Sequence, residues 1–89
     1  MAKFFIDGKF YDTERAEKIF SSNIKVFMFD LPQKLTIYRT ELGNWFSTTE
    51  NFFEGIKAHV ETEESVKQIL MYNNDVETYE RLFGEVERA

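Results

Sequence analysis

Between Lys34 and Glu61 the chain repeatedly alternates side chains with a period of two, and this is the pattern that most restricts its fold. Successive residues of a strand point to opposite faces, so alternation buries one face and leaves the other wet. Lys34 to Thr40 sets Leu35 and Ile37 against Thr36, Tyr38 and Thr40. Glu41-Leu42-Gly43-Asn44 reads as a turn, and Trp45 to Thr48 returns as the partner strand. Ile56, Ala58 and Val60 alternate with Lys57, His59 and Glu61, which predicts a strand with the first three toward the core. Thr49 to Gly55 has an open local shape, with Phe52 and Phe53 in need of cover.

The start of the chain predicts a hairpin. Phe4-Phe5-Ile6 and Lys9-Phe10-Tyr11 flank Asp7-Gly8, a pair that tolerates positive φ at both central positions. Asp12 is placed to cap a short helix in which Ala16, Ile19 and Phe20 fall at i, i+3 and i+4, ended by Ser21-Ser22-Asn23. Ile24 to Phe29 is almost wholly apolar and predicts a buried strand, followed by a turn over Asp30-Leu31-Pro32-Gln33. After Glu61 the period changes to 3.6. Thr62 caps a helix with Glu63 and Glu64 in its first turn and Val66, Ile69 and Leu70 on its buried stripe. Asn73-Asn74-Asp75 breaks it, Asn74 and Glu77 stand at capping-box spacing, and Tyr79, Leu82, Phe83 and Val86 line the last helix. The order is hairpin, helix, hairpin, strand, helix, helix. It predicts an α+β domain, a small antiparallel sheet with about three helices on one face. Leu35, Ile37, Val66, Ile69, Leu70, Leu82 and Phe83 are the expected core.

A length of 89 residues makes residues 1–89 one domain with one modest core. With 10 Phe, 4 Tyr and 1 Trp the chain is too apolar for a disordered acidic tail. It has no cysteine, which removes disulfides and thiolate metal sites and fits a reducing compartment. No apolar run approaches the ~18–20 residues of a membrane span, and Asp7 interrupts Phe4-Phe5-Ile6 too soon for a signal peptide, so a cytoplasmic protein is expected.

Charge divides the chain. Residues 1–49 carry 7 Lys/Arg and 6 Asp/Glu, while residues 50–89 carry 4 and 10, a net of +1 against −6. The bases Lys3, Lys9, Arg15, Lys18, Lys25, Lys34 and Arg39 are interleaved with acids and form no stripe, so direct nucleic-acid binding is disfavoured. Tyr38, Trp45 and Phe46 fit a core better than a base-stacking platform. The acidic half reads either as a solvated face or as a mimic of nucleic-acid phosphate charge, presented to a basic protein surface. Glu61, Glu63, Glu64, Glu77, Glu80, Glu85 and Glu87 are the candidate partner-binding residues.

Catalytic signatures do not emerge. The four serines, Ser21, Ser22, Ser47 and Ser65, are in no Gly-x-Ser-x-Gly elbow, and no Gly-rich phosphate loop occurs. His59 with Glu61 and Glu63 is a candidate set for zinc or another divalent ion, because alternate strand residues project to one side. The competing and preferred expectation is an exposed histidine beside acids, with no cofactor.

Three segments carry a resemblance: Ile6-Asp7-Gly8-Lys9-Phe10-Tyr11-Asp12-Thr13-Glu14-Arg15-Ala16, Ile37-Tyr38-Arg39-Thr40-Glu41-Leu42-Gly43-Asn44-Trp45-Phe46, and Tyr79-Glu80-Arg81-Leu82-Phe83-Gly84-Glu85-Val86-Glu87. They resemble a family of small proteins encoded by phages and mobile elements of low-GC Gram-positive bacteria, along nearly the whole chain. Small acidic proteins of this type include anti-CRISPR inhibitors of the type II RNA-guided nuclease. The chain departs from the family pattern at residues 21–34, which are more apolar, and at 49–55, where glycine is more usual. The resemblance implies a non-enzymatic inhibitor in the host bacterial cytoplasm, with a type II-A CRISPR effector nuclease as protein partner. Inhibition would block nucleic-acid loading or nuclease-domain movement. A phage-encoded interaction module with another host target, or a small metal-binding protein, are the alternative readings.

Overall fold

The computed structural model describes residues 2–26, 31–51 and 54–89. The expected strand over Ile24 to Phe29 and turn at Asp30 lie partly outside the described residues, as do Phe52 and Phe53. The architecture is α+β, with two antiparallel sheets and two helices among the described residues.

The first sheet is the expected hairpin, β1 (Lys3–Ile6) and β2 (Lys9–Asp12). Its turn puts Asp7 at φ 51° and Gly8 at φ 78°, the left-handed pair that suits the strand twist. The second sheet has the order β3 (Glu17–Val26), β4 (Leu31–Arg39), β5 (Trp45–Asn51), β6 (Gly55–Glu61). Pro32 stands near the start of β4 opposite Lys25, before β5 joins at Lys34, so its missing N–H costs the central ladder nothing.

The helix expected after Asp12 is a strand, and the predicted count of three helices falls to two. Asp12 does bind a backbone N–H ahead of it, that of Glu14 at 2.9 Å, and its carbonyl accepts from Arg15 N at 3.2 Å, but the chain makes one turn and extends. A bulge between Lys18 and Phe20 explains the helix-like spacing. Two adjacent residues of a bulged strand turn toward the same side, and Ile19 and Phe20 both pack into one cluster. Ser21 to Asn23 continue β3, and Leu31 to Gln33 belong to β4 rather than a turn.

α1 (Glu63–Tyr72) begins as expected at Thr62, whose hydroxyl accepts from Ser65 N at 3.0 Å while Ser65 Oγ accepts from Thr62 N at 2.9 Å. α2 (Val76–Phe83) is capped by Asp75, which accepts from Thr78 N at 3.1 Å, so Asp75 takes the place expected of Asn74. Asn74 instead adopts φ 57° in the link.

Residues opposed across a ladder share a face. Arg39, Trp45 and Glu61 line one side with Ile37, Ser47 and His59, while Tyr38, Phe46 and Val60 line the other with Thr36, Thr48 and Ala58. The helices cover the first side, where Ile19, Ile37, Trp45, Val66 and Leu70 form the buried cluster and Phe20, Ile69, Tyr79, Leu82 and Phe83 pack against it. The hairpin covers the second side. Tyr11 sets its ring 5.2 Å from that of Phe46, which stacks at 5.0 Å on Tyr38. The sheet is therefore covered on both faces, by helices and by a hairpin. This also corrects the strand β6: Ile56 and Val60 stay half-exposed on the hairpin side, while Glu61 turns toward the helices and is partly buried.

Candidate protein-docking surface

The seven acids singled out in the sequence separate into two groups. Glu61 and Glu80 are held by the fold; Glu63, Glu64, Glu77, Glu85 and Glu87 are exposed.

Glu61 ends β6 where the chain enters α1. Its Oε2 accepts from Ser47 Oγ of β5 and its Oε1 from Ser65 Oγ of α1, both at 2.6 Å. That length is typical of hydroxyl-to-carboxylate bonds, the stronger class. The carboxylate thus ties sheet to helix and satisfies the buried Ser47 hydroxyl. Glu61→Ala leaves that hydroxyl without its acceptor, and urea titration should show a loss of about 1–3 kcal/mol. A wild-type midpoint for this variant would mean the bridge contributes nothing.

Glu80 closes the other end. Its Oε2 accepts from Val86 N at 3.2 Å and from the Arg88 guanidinium at 3.0 Å, which folds residues 84–88 back along α2. Gly84 makes the reversal with φ 97°, a conformation that disfavours side chains.

His59 is exposed, with Nε2 3.5 Å from Thr49 Oγ1. It shares the helix-side face with Glu61, but both Glu61 oxygens are engaged with serines, and Glu63 lies beyond the Thr62 cap. Among the described residues no group of three or more His, Asp or Glu side chains is gathered to hold a metal ion.

The folded-back tail creates a feature that periodicity does not reveal. Leu70, Met71, Val76, Tyr79 and Val86, with Asn74 and Asp75 of the link, line a mainly apolar hollow of about 240 Å³ between the end of α1, the start of α2 and the tail. Met71 is 50% and Val76 45% exposed at its margin. Exposed Glu77 follows Val76 in the chain, and exposed Glu85 and Glu87 bracket Val86. An apolar centre with a polar, solvent-exposed rim is the common anatomy of a protein interface, and these three acids are chain neighbours of the lining residues.

No family model matches the chain, and no curated protein or solved structure matches it either. Among the described residues no helix is long and apolar enough to cross a membrane.

Proposed function

We propose that this protein is a non-enzymatic binding module that docks a basic protein surface through the hollow and the acids around it. The observation that carries the reading is the placement of Glu77, Glu85 and Glu87 next to residues that line an apolar depression. Carboxylates alone give reach and steering, whereas an apolar recess beside them gives a partner side chain somewhere to be buried. In its most concrete form the partner is a type II-A RNA-guided nuclease in the cytoplasm of a bacterial host. The acids would then occupy a Lys/Arg-lined path for nucleic acid, or hold a nuclease domain in place, as the resemblance implies. No bound nucleic acid, cofactor or chemical turnover is part of this reading.

The test is binding of wild type and of Glu77→Lys/Glu85→Lys/Glu87→Lys to the guide-loaded nuclease at low and at physiological salt. Glu80 is left alone because it holds the tail. Wild-type affinity should fall as salt rises, since the field reaches only ~8 Å at physiological ionic strength. The triple variant should bind at least about 10-fold more weakly, a change of about 1.4 kcal/mol, with an unchanged melt. Equal affinity of the two proteins at both salts would make the acids a solvated face.

A further inference from the structure

A second, larger cleft lies on the hairpin side of the sheet, apart from the acidic surface. It has a volume of about 490 Å³ and is framed by β2, the turn after it, and the β4–β5 connection. It joins residues about 30 positions apart in the chain, Lys9 to Ala16 and Thr40 to Asn44, which belong to two of the segments singled out in the sequence.

Several polar groups of its lining have no partner within the fold among the described residues. Tyr11 is 4% exposed as a residue, but no buried polar side-chain atom among the described residues lacks a partner, so its unbonded hydroxyl is the part that opens to the cleft. Lys9 and Arg15 both line the cleft, and neither has a carboxylate within ion-pair distance among the described residues. The Asn44 side-chain amide is likewise unpartnered there. Asp12 also lines the cleft, and one of its oxygens accepts the Glu14 N–H. Lys9, Arg15, the Asn44 side-chain amide and the Tyr11 hydroxyl thus share one recess, without partners of their own among the described residues, with the carboxylates of Asp12 and Glu41 in the same lining. Beside them stand apolar surfaces that the fold does not cover, Phe10 at 49% and Leu42 at 90% exposed.

We propose that this cleft binds a small aromatic anion, with its charge on Lys9, Arg15 and the Tyr11 hydroxyl and its ring against Phe10 and Leu42. The volume falls in the range of small-molecule sites, which pair an apolar wall with a few polar groups that fix orientation. A guanidinium and an ammonium lining one cleft suit a phosphate or carboxylate, and such charge-assisted bonds are the stronger ones. Glu41 and Asp12 also line the cleft and set a limit on affinity, because like charges near the anion repel it. The same chemistry is offered by a free mononucleotide and by a phosphorylated aromatic side chain of another protein.

The test is titration of isotope-labelled protein, followed by amide chemical shifts, with phenyl phosphate, adenosine monophosphate and inorganic phosphate. Saturable shifts at Lys9, Tyr11, Arg15 and Asn44 with an aryl phosphate, at least about 10-fold tighter than with inorganic phosphate, are expected. Arg15→Gln and Leu42→Ser alter exposed side chains and should each weaken the aryl phosphate about 5-fold or more, whereas Glu41→Gln should tighten it. Tighter binding of the nucleotide assigns the free-ligand source, and tighter binding of phenyl phosphate assigns the side-chain source. Equal response to inorganic phosphate, or no saturable shift up to about 10 mM of either aryl ligand, overturns the proposal. Neither result bears on the acidic surface, which is tested by the nuclease binding above.

Discussion

Phe46→Ala is expected to remove about 3–5 kcal/mol of stability, enough to leave much of the protein unfolded. Phe46 has no exposed surface. It stands at the centre of the sheet's hairpin side, stacked on Tyr38 within the sheet and met at 5.2 Å by Tyr11 of the hairpin. Truncation deletes a ring, opens a cavity and removes the partner against which the hairpin rests. A domain of this size has only about 5–15 kcal/mol in total, and one with a modest core stands toward the lower end. Phe46→Leu keeps most of the volume and should cost less than half as much. Urea denaturation of both variants, with amide exchange in β1 and β2, checks the claim. A Phe46→Ala protein that keeps its midpoint and its hairpin protection would show that the hairpin is held elsewhere.

The hairpin that Phe46 anchors was legible because its signal is local. Asp7-Gly8 between two apolar runs allows few other conformations, and the turn has the positive φ values the pair permits. The strands over 35–40, 45–48 and 56–61 and the helix over 63–72 were legible for the same reason, since each carries its own period. The region after Asp12 was misleading because a bulge in β3 imitates a helical stripe over a few residues. Nothing local distinguishes Ile19 and Phe20 on a helix from Ile19 and Phe20 on the same side of a bulged strand. The side that β6 presents to the core was also hidden. Alternation says that Ile56, Ala58 and Val60 share a face, but only the tertiary arrangement decides that the helices take the other one.

The candidate surface was legible in kind and not in detail. Charge counting finds the acids of the C-terminal half, yet it cannot separate Glu77, Glu85 and Glu87 from Glu61 and Glu80. Glu61 reaches Ser47, 14 residues earlier, because β5 and β6 are paired. Glu80 meets Val86 and Arg88 because Gly84 reverses the chain. The cleft proposed for an aromatic anion escapes sequence reading altogether, since Lys9 and Arg15 look like scattered bases until the hairpin is laid beside the β4–β5 connection.

Leu70→Ala tests the other side of the sheet and should cost about 2–5 kcal/mol. Leu70 has no exposed surface and belongs to the cluster with Ile37, Trp45 and Val66, so a cavity there loosens α1 from the sheet. The link between the helices is tied back to the same residue, since the Asp75 N–H donates to the Leu70 carbonyl at 2.9 Å. That bond is backbone only and survives the substitution, which confines the loss to packing. The neighbouring Met71→Ala removes a side chain that is 50% exposed and should change stability by only about 0.5 kcal/mol. Both residues line the hollow proposed to receive a partner side chain. Met71→Ala should therefore weaken docking while the melt stays near wild type, whereas Leu70→Ala should lower the melt first. Thermal melts and partner binding measured on the pair separate the two roles. If Leu70→Ala melts with the wild type, the helix layer is not packed on Ile37 and Trp45, and the hollow above it loses its floor.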